Sequence, residues 1–185
     1  YFSDLVAYSG ELQQIFQTAR QTLVVGGRFQ SGDIGTSVSI QRLLPVHTNT
    51  GPDLNRYCAY GYYSLRLTDP LQLTAGLAYD YLDYPVNNEI APVSSAQTHR
   101  DQISPKAGFR WTPLENTTLR GAYTRSLGGV FYDTSVKLEP TEIDGFNQAF
   151  RSMIPESVAG LVPGSRFETF DLAFDQKFST RTYFS

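Results

Sequence analysis

The stretch YCAYGYYSLRLTDPLQLTAGLAYDY, from Tyr57 to Tyr81, carries the clearest periodic signal in the chain. Before Thr68-Asp69-Pro70, one set of alternate residues reads Tyr57, Ala59, Gly61, Tyr63, Leu65, Leu67, and the other reads Cys58, Tyr60, Tyr62, Ser64, Arg66, Thr68. After it, Leu71, Leu73, Ala75, Leu77, Tyr79 and Tyr81 alternate with Gln72, Thr74, Gly76, Ala78 and Asp80. Successive side chains of a strand point to opposite faces. A period of two held this long therefore predicts two strands, each with an apolar and a mixed face, joined by a tight turn.

The pattern recurs on both sides. Ile103, Pro105, Ala107, Phe109 and Trp111 alternate with Ser104, Lys106, Gly108, Arg110 and Thr112. Phe170, Leu172, Phe174 and Phe178 oppose Thr169, Asp171, Asp175 and Lys177. Two further strands are read at Leu23–Phe29 and Leu119–Tyr123, and a weaker first one near Leu12–Gln17. No segment has a comparable helical repeat. The strands run to about 9–13 residues, near the ~9–11 that cross a bilayer when tilted and longer than the usual ~5–6 of soluble strands.

Composition agrees. The chain has 185 residues, 41% apolar and 14% aromatic, with a net charge of -3, which is neither the profile of a disordered chain nor the basic stripe of a nucleic-acid binder. One cysteine, Cys58, leaves no internal disulfide and no cysteine-based zinc site. No apolar run is long enough for a membrane helix, but strands that alternate average out in hydropathy and are not excluded.

The connections alternate in length. Those near 18–20, 68–70, 112–116 and 179–181 are short, and those near 31–55, 84–100 and 128–166 are long. Outer-membrane barrels have this asymmetry, with short periplasmic turns and long extracellular loops. With that orientation, Trp111 and Phe178 fall at the lower membrane boundary, and Phe29, Tyr57, Tyr81 and Phe170 at the upper one, as aromatic belts do. The expectation is an all-β, antiparallel transmembrane β-barrel segment of about 7–8 strands in the bacterial outer membrane. Residues 1–185 are read as one barrel region, a slice of a larger barrel in preference to a complete eight-stranded one, because an open sheet edge in lipid leaves backbone groups unsatisfied; a soluble β-protein is the alternative fold.

QISPKAGFRWTPLENTTLRGAYTRS, residues 102–126, resembles a hairpin of TonB-dependent outer-membrane receptors, which often carry an SPK or SPR, aromatic, tight-turn, Leu-Arg-Ala-Tyr-Ser-Arg pattern. YGYYSLRLTDPLQLTAGLAYDYLDY, residues 60–84, is similar to another of their hairpins. The resemblance implies a barrel of a Gram-negative bacterium that takes up or passes a solute. The family's plug and TonB-contacting box are not read in these residues. Two other functions stay open: an anchoring or secretion barrel joined to a periplasmic module such as tetratricopeptide repeats, and, third, an outer-membrane enzyme.

No catalytic, cofactor or metal motif is found, and no enzyme activity is expected. His47 and His99 are read as solvated loop residues, and Asn116-Thr117-Thr118 as turn chemistry. Charges of both signs fall on the mixed face: Arg28, Arg66, Asp80, Lys106, Arg110, Arg120, Asp171, Asp175 and Lys177 are the candidate lumen residues. Arg125 falls on the apolar face near a strand end, where it can snorkel to lipid phosphates. In the longest connection, Thr141 is read as the N-cap of a short helix weakened by Gly145, and Phe146, Phe150 and Met153 as a gate over or inside the barrel mouth. Expected partners are outer-membrane lipid and lipopolysaccharide, a plug or periplasmic module, and a small solute of unknown identity, with no nucleic acid.

Overall fold

A computed structural model describes residues 2–40, 46–50, 53–86, 94, 96–128, 137–148, 164–178 and 182–184. The elements are β1 (Phe2–Gln17), β2 (Gln21–Ile40), β3 (Val46–Thr50), β4 (Asp53–Thr68), β5 (Leu71–Pro85), β6 (Gln97–Leu114), β7 (Thr117–Leu127), β8 (Glu142–Ile143), β9 (Phe146–Asn147), β10 (Arg166–Lys177) and β11 (Tyr183–Phe184). Nine of them form one sheet in the order β1-β2-β4-β5-β6-β7-β10-β11, with β3 against the far end of β2; β8 and β9 form a separate hairpin. Every pairing is antiparallel. Among the described residues there is no helix.

The two faces of the sheet have opposite chemistry. Leu12, Phe29, Tyr57, Leu67, Leu77, Ile103, Phe170 and Leu172 are exposed. Arg28, Gln30, Arg56, Asp80, Gln102, Ser104, Lys106, Thr124 and Ser126 are buried. A water-soluble sheet puts its large apolar side chains inward. This one exposes most of them and buries a smaller set, Leu54, Leu82, Tyr84 and Leu127, toward the long-connection end, a pattern that fits a wall meeting hydrocarbon. Trp111 lies beside the turn at Asp69-Pro70, where the Thr112 amide donates to the Pro70 carbonyl (2.8 Å), and it is exposed on the apolar face.

Short turns close one end of the sheet, at residues 18–20, 69–70 and 115–116. At the other end the described residues include more strand than the sequence suggested. The expected connection over 31–55 is in large part strand: β2 continues to Ile40, pairs with β1 as far as Phe2↔Ser37, and is met by β3. Likewise β5 runs to Pro85 and β6 starts at Gln97, so both ends of the expected loop over 84–100 are paired. The β2 extension breaks the pattern because the apolar set changes parity: Leu23, Val25 and Phe29 lie on one set of alternate residues, and Ile34, Val38 and Ile40 on the other. A strand read as one continuous apolar face therefore stops at Phe29, although the backbone pairing runs on. The ladder between β6 and β7 starts at Lys106↔Thr124, just inside Pro105, which has no N–H to give.

Candidate functional site

The site lies on the buried face, where the sheet and a strap of residues 137–148 meet. The strap belongs to the long connection between β7 and β10. It does not form the helix expected from Thr141. Instead β8 and β9 pair as Glu142↔Asn147 and Ile143↔Phe146 around a two-residue turn. Asp144 and Gly145 both have positive φ, 48° and 90°, as a type I′ turn requires. Asp-Gly between Ile and Phe was the readable signal, and it outweighs a capping residue that lacked its Glu or Gln partner. The Gln148 amide closes the hairpin onto the Thr141 carbonyl at 2.9 Å.

Strap and wall are joined along its length. On β1 the Glu11 carboxylate accepts two successive backbone amides, Leu138 N–H at Oε2 (2.8 Å) and Glu139 N–H at Oε1 (3.0 Å). Gln13 Nε2 donates to the Leu138 carbonyl at 2.7 Å, so two side chains of β1 treat Leu138 as a neighbouring strand would. The Tyr60 hydroxyl donates to the same Glu11 Oε1 at 2.8 Å. The Glu139 carboxylate receives Lys106 Nζ (3.0 Å) and the Tyr62 hydroxyl. Lys106 Nζ also donates to the Tyr62 oxygen at 2.7 Å. Gln148, fully buried, gives its side-chain amide to Tyr62 (3.1 Å) and to the Pro140 carbonyl (2.7 Å). Losing one partner of a buried pair such as Lys106–Glu139 costs about 3–5 kcal/mol, because the other charge is left in a low dielectric.

The hairpin tip reaches toward the short-turn end of the wall. Gln72 Nε2 lies 3.4 Å from Asp144 Oδ1, and Arg120 reaches the Gly145 carbonyl and lies 5.3 Å from the centre of the Phe146 ring. Ile143 packs with Tyr60, Tyr62, Ala78 and Ala122, with Phe146 alongside. The tip fits because residue 108 is glycine: a Cβ there would stand 2.5 Å from Ile143 Cγ2 and closer still to the Asp144 carboxylate. Burial, above all, holds the Asp144 carboxyl above its ordinary range, against the opposing pull of Thr74, Arg110 and Gln72.

The fold of this region has counterparts among solved structures. The copper transporter OprC is similar over 96% of this chain and 28% of its own, with 14% identity and a TM-score of 0.61. The siderophore receptor PiuA from Acinetobacter baumannii is similar over 97% of this chain and 30% of its own (14% identity, TM-score 0.55). The ferric-catecholate import receptor Fiu from K12 E. coli is similar over 97% and 29% (13% identity, TM-score 0.55). Residues 1–152 match the model of the TonB-dependent receptor-like β-barrel family. The chain belongs to that family. No curated protein sequence matches it. This TonB-dependent receptor-like barrel is therefore a bacterial outer-membrane protein, and its chain spans less than a third of the length of the solved structures it resembles.

Within this receptor barrel the candidate lumen residues differ in their partners and exposure. Lys106 joins the strap, and Arg120 joins both the strap and Asp175, at 2.8 Å. Asp80 pairs with Arg56 at 2.8 Å, and Arg56 also donates to the Leu127 carbonyl. Arg28 is buried between Glu11 and Cys58 of the adjoining strands, and Asp171 is half-buried opposite Ala122. Arg66, Arg110 and Lys177 are exposed toward the short-turn end; Lys177 sits 5.9 Å from the ring centre of Tyr183. Of the gate candidates, Phe146 lies in the strap, while Phe150 and Met153 lie outside the described residues. Sequence reasoning missed Glu11, Arg56, Tyr60, Tyr62, Glu139 and Gln148, whose roles depend on a contact between segments far apart in the chain.

His99 corrects an expectation. It is not in a loop but in β6, stacked on Tyr81 with ring centroids 5.9 Å apart. His47 lies in β3. Arg125 stands opposite Glu168 of β10, whose carboxylate accepts the Tyr123 hydroxyl at 2.6 Å. Among the described residues no group of His, Cys, Asp and Glu has metal-binding geometry.

Proposed function

We propose that this chain forms part of the wall of an outer-membrane uptake barrel, and that the strap is its gate. The observation that carries the reading is the strap itself: residues 137–148 occupy the polar face of the sheet, held by side chains of β1, β4, β5, β6 and β7. Arg28, Arg66, Asp80, Lys106, Arg110, Arg120, Asp171, Asp175 and Lys177 then line the lumen, and mixed signs keep it hydrated without committing it to cations or anions. Phe146, with Phe150 and Met153 of the same connection, gives the gate its apolar weight. The opposite face meets the acyl chains of outer-membrane lipid, with lipopolysaccharide at the long-loop end. A plug, or a periplasmic module in its place, fills the remaining lumen. The barrel works by passage of a solute rather than by bond chemistry, with no cofactor.

Replacing Glu139 to Ile154 by a short Gly/Ser link in the full-length receptor tests this. Strand pairing holds the wall, so thermal stability stays near normal, while single-channel conductance or solute uptake rises. Unchanged passage would make the strap a fixed lining and would fit an anchoring barrel better.

A further inference from the structure

The wall beneath Leu138-Glu139 has the composition of a peptide-binding site, and the strap fills it as a ligand would. Glu11 offers two acceptor oxygens spaced for successive amides, and Gln13 donates to the intervening carbonyl. Lys106 and Tyr62 then receive a carboxylate one side chain further on. None of these wall groups recognises Leu138 as leucine, whose side chain is exposed. They read a backbone N–H pair, a C=O and an acidic side chain. Tyr60, 6.0 Å from Tyr62 ring to ring, braces Glu11 from the side through its hydroxyl.

We infer that the strap is a pseudo-ligand, and that the solute admitted by this receptor is an acidic peptide or peptide-like compound that displaces Leu138-Glu139 from Glu11, Gln13, Tyr62 and Lys106. This deepens the uptake reading above and rests on it. The strap's tip remains on Gln72 and Arg120 when its neck is displaced, so the hairpin swings on that end rather than leaving the wall. A ligand that competes with a tethered segment binds with an affinity reduced by the fraction of time the segment is docked. Loosening the strap therefore strengthens ligand binding without touching the wall.

The test uses the full-length receptor in detergent micelles and a fluorescent acetyl-Lys-Leu-Glu-Pro-Thr amide, the sequence of residues 137–141, as probe. Glu139→Ala removes the strap's own carboxylate and is expected to tighten probe binding by about tenfold. Adding Glu11→Gln to Glu139→Ala is expected to abolish the gain, and a probe with Gln in place of Glu is expected to bind no variant. Heat-modifiable migration reports whether each variant folds; Glu139→Gln serves if the alanine variant does not. No gain with Glu139→Ala or Glu139→Gln, or a gain that survives Glu11→Gln, overturns the peptide site. Conductance separates this from the broader reading. A barrel that conducts but binds no probe keeps the uptake role and loses the peptide class. One that binds the probe yet passes nothing keeps the site and loses the uptake role.

Discussion

Asp144 is a carboxylate placed at the tip of an inward-pointing hairpin, with Oδ2 buried and without a hydrogen-bond partner among the described residues. Desolvation raises its pKa above the ordinary 3.8, and Thr74, Arg110 and Gln72 oppose the rise only in part. The docked strap thus prefers the protonated acid. Docking is fully favoured below the ordinary range and weakens as pH rises through the elevated value. Asp144→Asn removes the charge yet keeps a residue that tolerates positive φ, so the turn survives. A spin label at Glu142 should become more mobile as pH rises from acid to neutral in the wild type, relative to Asp144→Asn at the same pH. The comparison isolates Asp144 from the Glu11 and Glu139 carboxylates, which both proteins keep. The same pH response in both would remove the burial argument. Gly108 makes a second test from the opposite side. Gly108→Val puts a side chain where Ile143 and Asp144 now sit, so limited proteolysis should cut the strap faster while the wall still migrates as a folded barrel.

The strands themselves were legible wherever the bilayer constrains them. Tyr57–Leu67 and Leu71–Tyr81 alternate because one face meets hydrocarbon and the other does not, and their register, Tyr63↔Ala75 and Leu65↔Leu73, keeps the apolar sets together. Arg28, Asp80, Lys106 and Arg120 could be assigned a face from parity alone. Their partners could not. Lys106 meets Glu139 across 33 residues of chain, and Glu11 meets Leu138 across 127, with no local pattern linking them. The far end of β2 was illegible because its apolar residues change parity, from Leu23, Val25 and Phe29 to Ile34, Val38 and Ile40. Parity also gives a sharp comparison at neighbouring positions. Leu77 is exposed on the apolar face, and Leu77→Arg should cost about 2–4 kcal/mol in folding titrations into lipid vesicles, as charges do near the midplane. Ala78 is buried beside Tyr60 on the other face. Ala78→Arg should leave insertion near normal and push Ile143 and the strap away from the wall. Equal penalties on insertion at the two sites would contradict the facing.

The sheet has two ends. β1 pairs with β2 along one edge, and at the other end, among the described residues, β11 pairs with Gln176 and Lys177 of β10. Long transmembrane strands cannot leave such edges in hydrocarbon, where each unsatisfied amide costs several kcal/mol. The solved structures of similar fold are more than three times as long. We expect residues 1–185, expressed alone with a signal peptide, to aggregate or be degraded. Recovery of a monomeric, protease-resistant, heat-modifiable species would instead mean that the nine-stranded sheet closes by itself.

The reach from Glu11 to Leu138 also sets an order of assembly. Each hairpin of the wall joins strands adjacent in sequence, so its loop closes cheaply and early. The contact of Glu11 with Leu138 closes a ring of 127 residues and has no geometry until β1 and the strands between are in place. Trp111, alone of its kind and on the lipid side, should report insertion as a fast rise in fluorescence. A dye pair on Gln13 and Lys137 should lag behind it, so that the wall is born first and the strap is laid into it only afterwards.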